Sequence, residues 1–429
     1  MKKLIVAVVA VAVSGVFALR AEAAPKIWKG GSSGDWFVAD NWDPSGAPSA
    51  TDVVTFNGSA TVNVNQTGDA ELWCFVVNAG EVKITGVEGA RLIMKSDAAG
   101  SDQDGWNVQK GAKLDIGVST LCNNRVDKWY GGELWFHAPL DIKSIAFFGY
   151  GTNVFARGSS VQVGDTFFVG LGKSDTGLRD CVIFTDDATF NGWTISFTGS
   201  DNCSTNVLEV DGDDVSITVE KFNLNGYSAT DDQFFYLKRG SVAVNASFCT
   251  EESADVRPGH VLVTGGNLIV RNGFQCHRGT VRVEGGTLNL GGSEPIFDEG
   301  TFLDLAGGEY VPSYLANKAD KGFRLDEKIH VSGEKVGFLV PVGCVMYWDF
   351  DNAVIENRTK IVKRGVGDLL FAKSQPVSRP LEVRIGTATV ASGVTLTAPA
   401  GSDEAWSLLV ADTAGELHEL THEYVVENQ

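Results

Sequence analysis

The stretch HELTH, His418 to His422, spells H-E-x-x-H. On a helix, histidines at i and i+4 face the same way and bind zinc, while the glutamate activates water. A third ligand would have to follow, and at the spacing where a third histidine would stand the chain has Asn428. The flanking residues read as Trp406 to Val410 in a strand, Ala411 to Gly415 in a turn, then a returning segment. In a strand His418 and His422 share a face but lie about 13 Å apart, too far for one ion. Leu417, Leu420 and Tyr424 also fit a helical stripe, so the zinc reading stands beside that of a terminal hairpin with a polar edge.

Paired acids form a second group: Asp186-Asp187, Asp213-Asp214 and Asp231-Asp232. An inverting glycosidase needs an acid and a base ~6.5–9.5 Å apart. Asp213 and Asp214 are therefore the catalytic candidates. Calcium prefers carboxylate and carbonyl oxygen, which makes Asp211, Asp213 and Asp214, or Asp102 and Asp104, candidate calcium ligands. The competing reading is solvated aspartates at turns.

Trp28, Trp36 and Trp42 form a third group among Gly, Ser, Asp and Pro. Exposed indoles stack on sugar rings, so all three are glycan-binding candidates. Large rings with one polar N–H also suit a half-buried plug over the end of an apolar core. Beyond these groups there is no Gly-rich phosphate loop and no G-x-S-x-G elbow.

The chain has 429 residues and a net charge of −19. Lys2, Lys3, an uncharged run from Leu4 to Leu19, and Ala21-Glu22-Ala23 read as a secretory signal peptide over 1–23. Its removal takes away a net +2 and leaves −21. So acidic a chain does not seek nucleic acid, and no later run is apolar enough for a membrane helix. The expectation is a secreted protein, extracellular, at the cell surface or periplasmic, with polysaccharide or cell-surface components as partners. No cofactor is implied beyond calcium. The seven cysteines are far apart and contain no C-x-x-C. Cys181 with Cys203, and Cys249 with Cys276, are spaced to sit on neighbouring coils as disulfides or stacked thiols.

Fifty glycines and eleven prolines punctuate short runs of Val, Ile, Leu and Phe. The runs starting at Val182, Val207, Phe234, Val261, Val281 and Phe302 recur every 20 to 27 residues. A Gly followed by an alternating strand returns as GAKLDI, GGELWF, RGSVAV, GGNLIV, RGTVRV and GGTLNL. Such a period marks a solenoid of strands and turns, because one coil cannot bury its apolar face alone. The predicted fold is all-β, a right-handed parallel β-helix of roughly 16–20 coils. It has a Trp-rich cap over 24–60, the helix over 61–395 and a capping hairpin over 396–429. Tandem β-sandwiches, whose strands recur every 8–12 residues, are the alternative.

Thr205 to Gly226, TNVLEVDGDDVSITVEKFNLNG, resembles the coils of bacterial secreted autotransporter-passenger-type β-helix proteins. Ile361 to Ala372 resembles the autotransporter-associated β-strand repeat through Lys363, Gly365, Gly367, Leu369 and Phe371. The opening SGDWFVADNWDPSGAPSATDVVTF is similar to the start of such proteins. GDDVSI, from Gly212, is similar to a polygalacturonase stretch, although that family's other motifs do not follow in order. The C-terminal translocator barrel of autotransporters is not found before Gln429. The resemblance implies a structural or adhesion-type rod without an evident catalytic site. A polysaccharide hydrolase or lyase and a non-catalytic glycan binder are the alternatives.

Overall fold

The structure is a computed structural model. It describes residues 24–95, 105–147, 151–170, 180–197, 205–224, 226–227, 232–250, 256–325, 328–348, 359–376, 381–394, 396–397, 408–411 and 417–420. The expected signal peptide, Asp102, Asp104, Cys203, Asp231 and His422 lie outside these residues.

Alternation along each strand sends one side chain in two toward a shared core. Val182, Leu208, Phe235, Val261, Val281 and Leu303 align across consecutive coils in parallel register. None of the six is more than 1 % exposed. The sequence period finds these strands but starts three of them one residue early, at Val207, Phe234 and Phe302. The true register is one residue further, and a slip of one exchanges the faces of a strand. Phe234 accordingly lies on the outer face, beside His260. Parallel pairing between coils rules out tandem sandwiches, which are antiparallel.

The fold is a β-solenoid, and among the described residues one parallel series runs through 15 successive strands, from Gly68–Leu72 to Leu408–Ala411. Paired positions are separated by as few as 19 residues, Leu134 to Asn153, and by as many as 32, Ile84 to Ile116. At ~4.8 Å per coil those 15 strands span about 67 Å.

Each coil presents three flat segments. The first face is a sheet of 13 strands running from Ser33–Asp35 to Ile329–Val331. A tight corner leads to a long strand that bends, with register shifts between Ile142 and Ile145 and between Val163 and Thr166. Further along the two halves become separate strands, Asn267–Val270 and Gly273–Cys276, both paired with Ser241–Thr250. These halves are the second and third faces.

Parallel register stacks like on like inside the core. Phe136, Phe155 and Phe184 stack with centroids 5.3 and 4.8 Å apart, at 6° and 13°. Phe222, Phe248 and Phe274 do so at 4.9 and 5.2 Å. The ring spacing is close to the strand spacing, because the ladder itself sets it. Coils approach so closely at Gly279 (φ +106°) that a Cβ there would lie 1.9 Å from the Gly259 carbonyl oxygen.

Both ends of the long sheet close on an antiparallel strand. At the start, Trp42–Asp43 runs antiparallel to Ala24–Trp28. At the other end, Leu417–Leu420 runs antiparallel to Leu408–Ala411, so the expected terminal hairpin forms. A reversed strand stops further parallel coils from adding to the edge. The solenoid begins inside the segment read as a cap, since Ala24–Trp28 already pairs with Asp52–Phe56 and Ser33–Asp35 with Ala60–Val64. The expected pairing of Cys249 with Cys276 fails. Cys249 aligns with Gln275 and Thr250 with Cys276, so the two thiols point to opposite faces and no disulfide joins them.

Candidate functional site: an acidic corner cleft

The corner between the first and second faces carries one short turn per coil. Four successive turns contribute Arg157, then Asp186 and Asp187, then Asp213 and Asp214, then Arg239. Together with Gly212 they line a cleft of about 410 Å³. The 27-residue separation of the two acidic pairs matches the local coil step, which is why they stack. Asp232 is only 18 residues beyond Asp214, short of any coil step, and it lands elsewhere, on His260 Nε2 at 3.0 Å.

The cleft's acids bond within the wall. Asp187 Oδ1 accepts the Gly158 N–H at 2.9 Å, one coil back. Arg239 Nε donates to Asp211 Oδ1 at 2.7 Å, and its Nη1 lies 3.6 Å from Asp213 Oδ2. Hydrogen bonding and charge from Asp211 push the Arg239 guanidinium further toward its protonated form. Asp186 takes a left-handed φ of 59°, which a short acidic side chain tolerates. The Asp213 side chain is 80 % exposed. It therefore sits in solvent rather than in the desolvated surroundings that prepare an acid catalyst.

Among the described residues no three His, Cys, Asp or Glu side chains converge as ligands. Asp211 Oδ1 accepts from Arg239 Nε. His418 lies in a strand, opposite Val410, so the helix that H-E-x-x-H requires is not formed over Leu417–Leu420.

Nor do the tryptophans form a platform. Trp36 and Trp42 are 0 % exposed. Trp42 Nε1 donates to the Trp36 carbonyl at 2.8 Å, and Trp42 meets Trp36 and Trp28 edge-on at 5.3 and 5.0 Å. Trp28 is half-buried over Gly30 and Gly34. Trp36 and Trp42 plug the first coil and turn no open face to a sugar, while Trp28 stays partly exposed beside them. Aromatic residues on the outside are found elsewhere, on the first face, where Phe234 stacks on His260 at 5.0 Å and Phe302 on His330 at 3.8 Å. Period-2 alternation in QFFYL was the signal for them, readable only with the register known.

Two buried ionisable sites escaped the sequence reading. Lys363 is 0 % exposed and donates to the carbonyls of Gly365 (2.8 Å), Ile385 (2.6 Å) and Gly367. Gly365 (φ +79°) turns the chain back so that its carbonyl meets the ammonium. The Lys-x-Gly-x-Gly pattern is thus a cation-centred corner. The other site is a polar column in the core, where Asp180 aligns with Asn206 and Gln233 on successive coils. Asn153 Nδ2 donates to Asp180 Oδ1 at 3.1 Å, and Asn206 Nδ2 to Gln233 Oε1 at 2.7 Å. Lys128, 1 % exposed, donates to the Tyr130 carbonyl at 2.5 Å.

Burial pushes the Asp180 carboxyl up, against the pull of Lys128, the Cys181 amide and Asn153. Burial likewise pushes Lys128 down, opposed by Asp180. With its folded value above its unfolded one, Asp180 holds its proton longer in the folded chain. Its contribution to stability is full below about pH 4 and is lost as pH rises through the folded value. Asp180→Asn is therefore expected to gain on the parent as pH rises. The difference in urea midpoints, variant minus parent, should grow more positive from pH 4 to pH 8, and a flat difference would place the carboxylate in water.

No protein-family model matches this chain, and no curated protein or solved structure matches it either.

Proposed function

We propose that this protein is a secreted or surface-associated β-solenoid with a structural or adhesive role and no catalytic site at its acidic corner. The observation that carries this reading is the use of the corner's charges. Asp187, Asp211 and Asp213 bond to or pair with neighbouring turns, which stitches coil to coil instead of presenting a free acid and base. Sealed ends and a continuous apolar column supply support of a second kind, since they suit a rigid spacer. The apolar start at 1–23 is the ground for export, and the net charge of −19 is the ground for excluding nucleic acid. Among the described residues no helix is long and apolar enough to cross a membrane.

A second reading, non-catalytic glycan binding, draws on the half-exposed aromatic residues of the first face, Phe234, Tyr236 and Phe302. The test is reducing-end release from a panel of acidic and neutral polysaccharides, with and without calcium, alongside retention of the protein on the same polymers. Release is expected to match a heat-killed control. Release that disappears in Asp213→Ala or Asp214→Ala would overturn the proposal. Retention without release, lost in Phe234→Ala, would favour the glycan binder.

A further inference from the structure

Lys128, Asn153 and Asp180 are each 1 % exposed and meet inside the core. The strand register fixes the meeting. Gly151 and Asp180 are partners on adjacent coils. A Cβ on Gly151 would lie 2.9 Å from Lys128 Nζ, so the amine takes the room that a side chain at 151 would fill. Asn153 is the partner of Val182, yet its Nδ2 reaches back to Asp180 Oδ1 at 3.1 Å and to the Cys181 carbonyl at 3.5 Å. Its carboxamide therefore leans along the strand toward the rung that holds Gly151, Lys128 Nζ and Asp180. Asn153 Oδ1 and Asp180 Oδ2 are buried and have no hydrogen-bond partner among the described residues. Lysine and aspartate are rarely buried this far, and orphaned acceptors of this kind are costly.

We propose that these three side chains make an internal cross-link, an amide bond between Lys128 Nζ and Asn153 Cγ, with Asp180 as the proton carrier. Lys128, as the neutral amine, adds through Nζ to Asn153 Cγ. The Nζ–Cγ bond forms and the Cγ–Nδ2 bond breaks. Asp180 gives its carboxyl proton to Nδ2, 3.1 Å from its Oδ1, and takes one back from Nζ. Ammonia leaves and Asp180 ends as it began, so the step needs no oxidant, reductant or co-reactant. The Tyr130 carbonyl holds Nζ through an N–H and leaves the lone pair of the neutral amine for the attack. Burial drives Lys128 toward the neutral amine and Asp180 toward the protonated acid, each opposed by the other's charge. Those are the forms that the reaction uses. A neutral amide also suits an apolar core better than a buried ammonium does. The link would join the long strand Ser119–Trp129 to Gly151–Phe155 across the core. The inference stands on this cluster alone and does not rest on the surface-associated reading.

The test is a peptide map by mass spectrometry. The full chain is purified folded, then reduced, denatured and digested with trypsin. A linked Lys128 resists cleavage, so the expected species joins peptides 126–143 and 144–157 through Lys128 and Asn153. Its mass should fall short of their sum by one ammonia. Chain held in urea from the time of synthesis should lack this species and gain it on refolding. Asp180→Asn should form it about a hundredfold more slowly, the scale of a lost general acid. Lys128→Arg, which keeps a cation in place, should not form it. Circular dichroism checks that both variants are folded, and the parent map decides the link whatever the variants do. Separate, unlinked peptides from the folded parent would overturn the proposal. So would a link that ends on Asp180 with loss of water, or an equal rate in folded Asp180→Asn.

Discussion

Trp42→Ala is expected to destabilise the first coils by about 3–5 kcal/mol, the range for deleting a large buried ring. Trp42 is fully buried, meets Trp28, Trp36 and Phe56, and sits in the antiparallel strand that closes the long sheet. Its loss opens a cavity and also removes the donor to the Trp36 carbonyl. In a solenoid each coil leans on its neighbours, so the damage should be local. Hydrogen exchange should accelerate in Asp52–Phe56 and Ala60–Val64 and stay slow around Val261 and Val281. Trp28→Ala, which removes a half-exposed ring, should do less. Uniform acceleration along the rod, or none at the first coils, would remove the plug from this account.

Lys363→Met should be the most damaging change in the C-terminal coils. Three carbonyl groups, of Gly365, Gly367 and Ile385, share the ammonium, and an orphaned buried acceptor costs ~1–3 kcal/mol. A loss of at least ~3 kcal/mol is expected. The same side chain gives a pH signature. Burial lowers Lys363 to about 8, with Asp368 pulling the other way. Its unfolded value is about 10.4. Between these two values the unfolded chain binds the extra proton, so stability contributed by this site rises with pH from about 8 to about 10.4. The methionine variant should lack that rise. Denaturant midpoints at pH 7.5 and 10 for parent and variant provide the measurement, and parallel lines would mean that the ammonium is not desolvated.

Much of the architecture could be read directly from residue order. Val, Ile, Leu and Phe recurring at one coil length, with Gly at the corners, have one economical use, a stacked column. The solenoid, its parallel strands, the closing hairpin and the structural use of the opening tryptophans all follow from local pattern. Register does not, because alternation tolerates a slip of one residue at almost no local cost. Only the neighbouring coil decides whether Phe234 or Phe235 faces inward, and the same slip separates Cys249 from Cys276. Corner chemistry was half legible: a 27-residue step stacks Asp186 with Asp213, yet nothing local reveals that Arg157 and Arg239 flank them.

Composition and period alone thus determined that this chain is a coiled stack of strands with an acidic surface. The tertiary structure decided which charges are spent inside the wall and where Lys363 and Asp180 lose their water. Those outcomes depend on contacts between residues about 20 to 30 positions apart. Their energies come from desolvation and ladder pairing, which exist only once one coil has settled on the next.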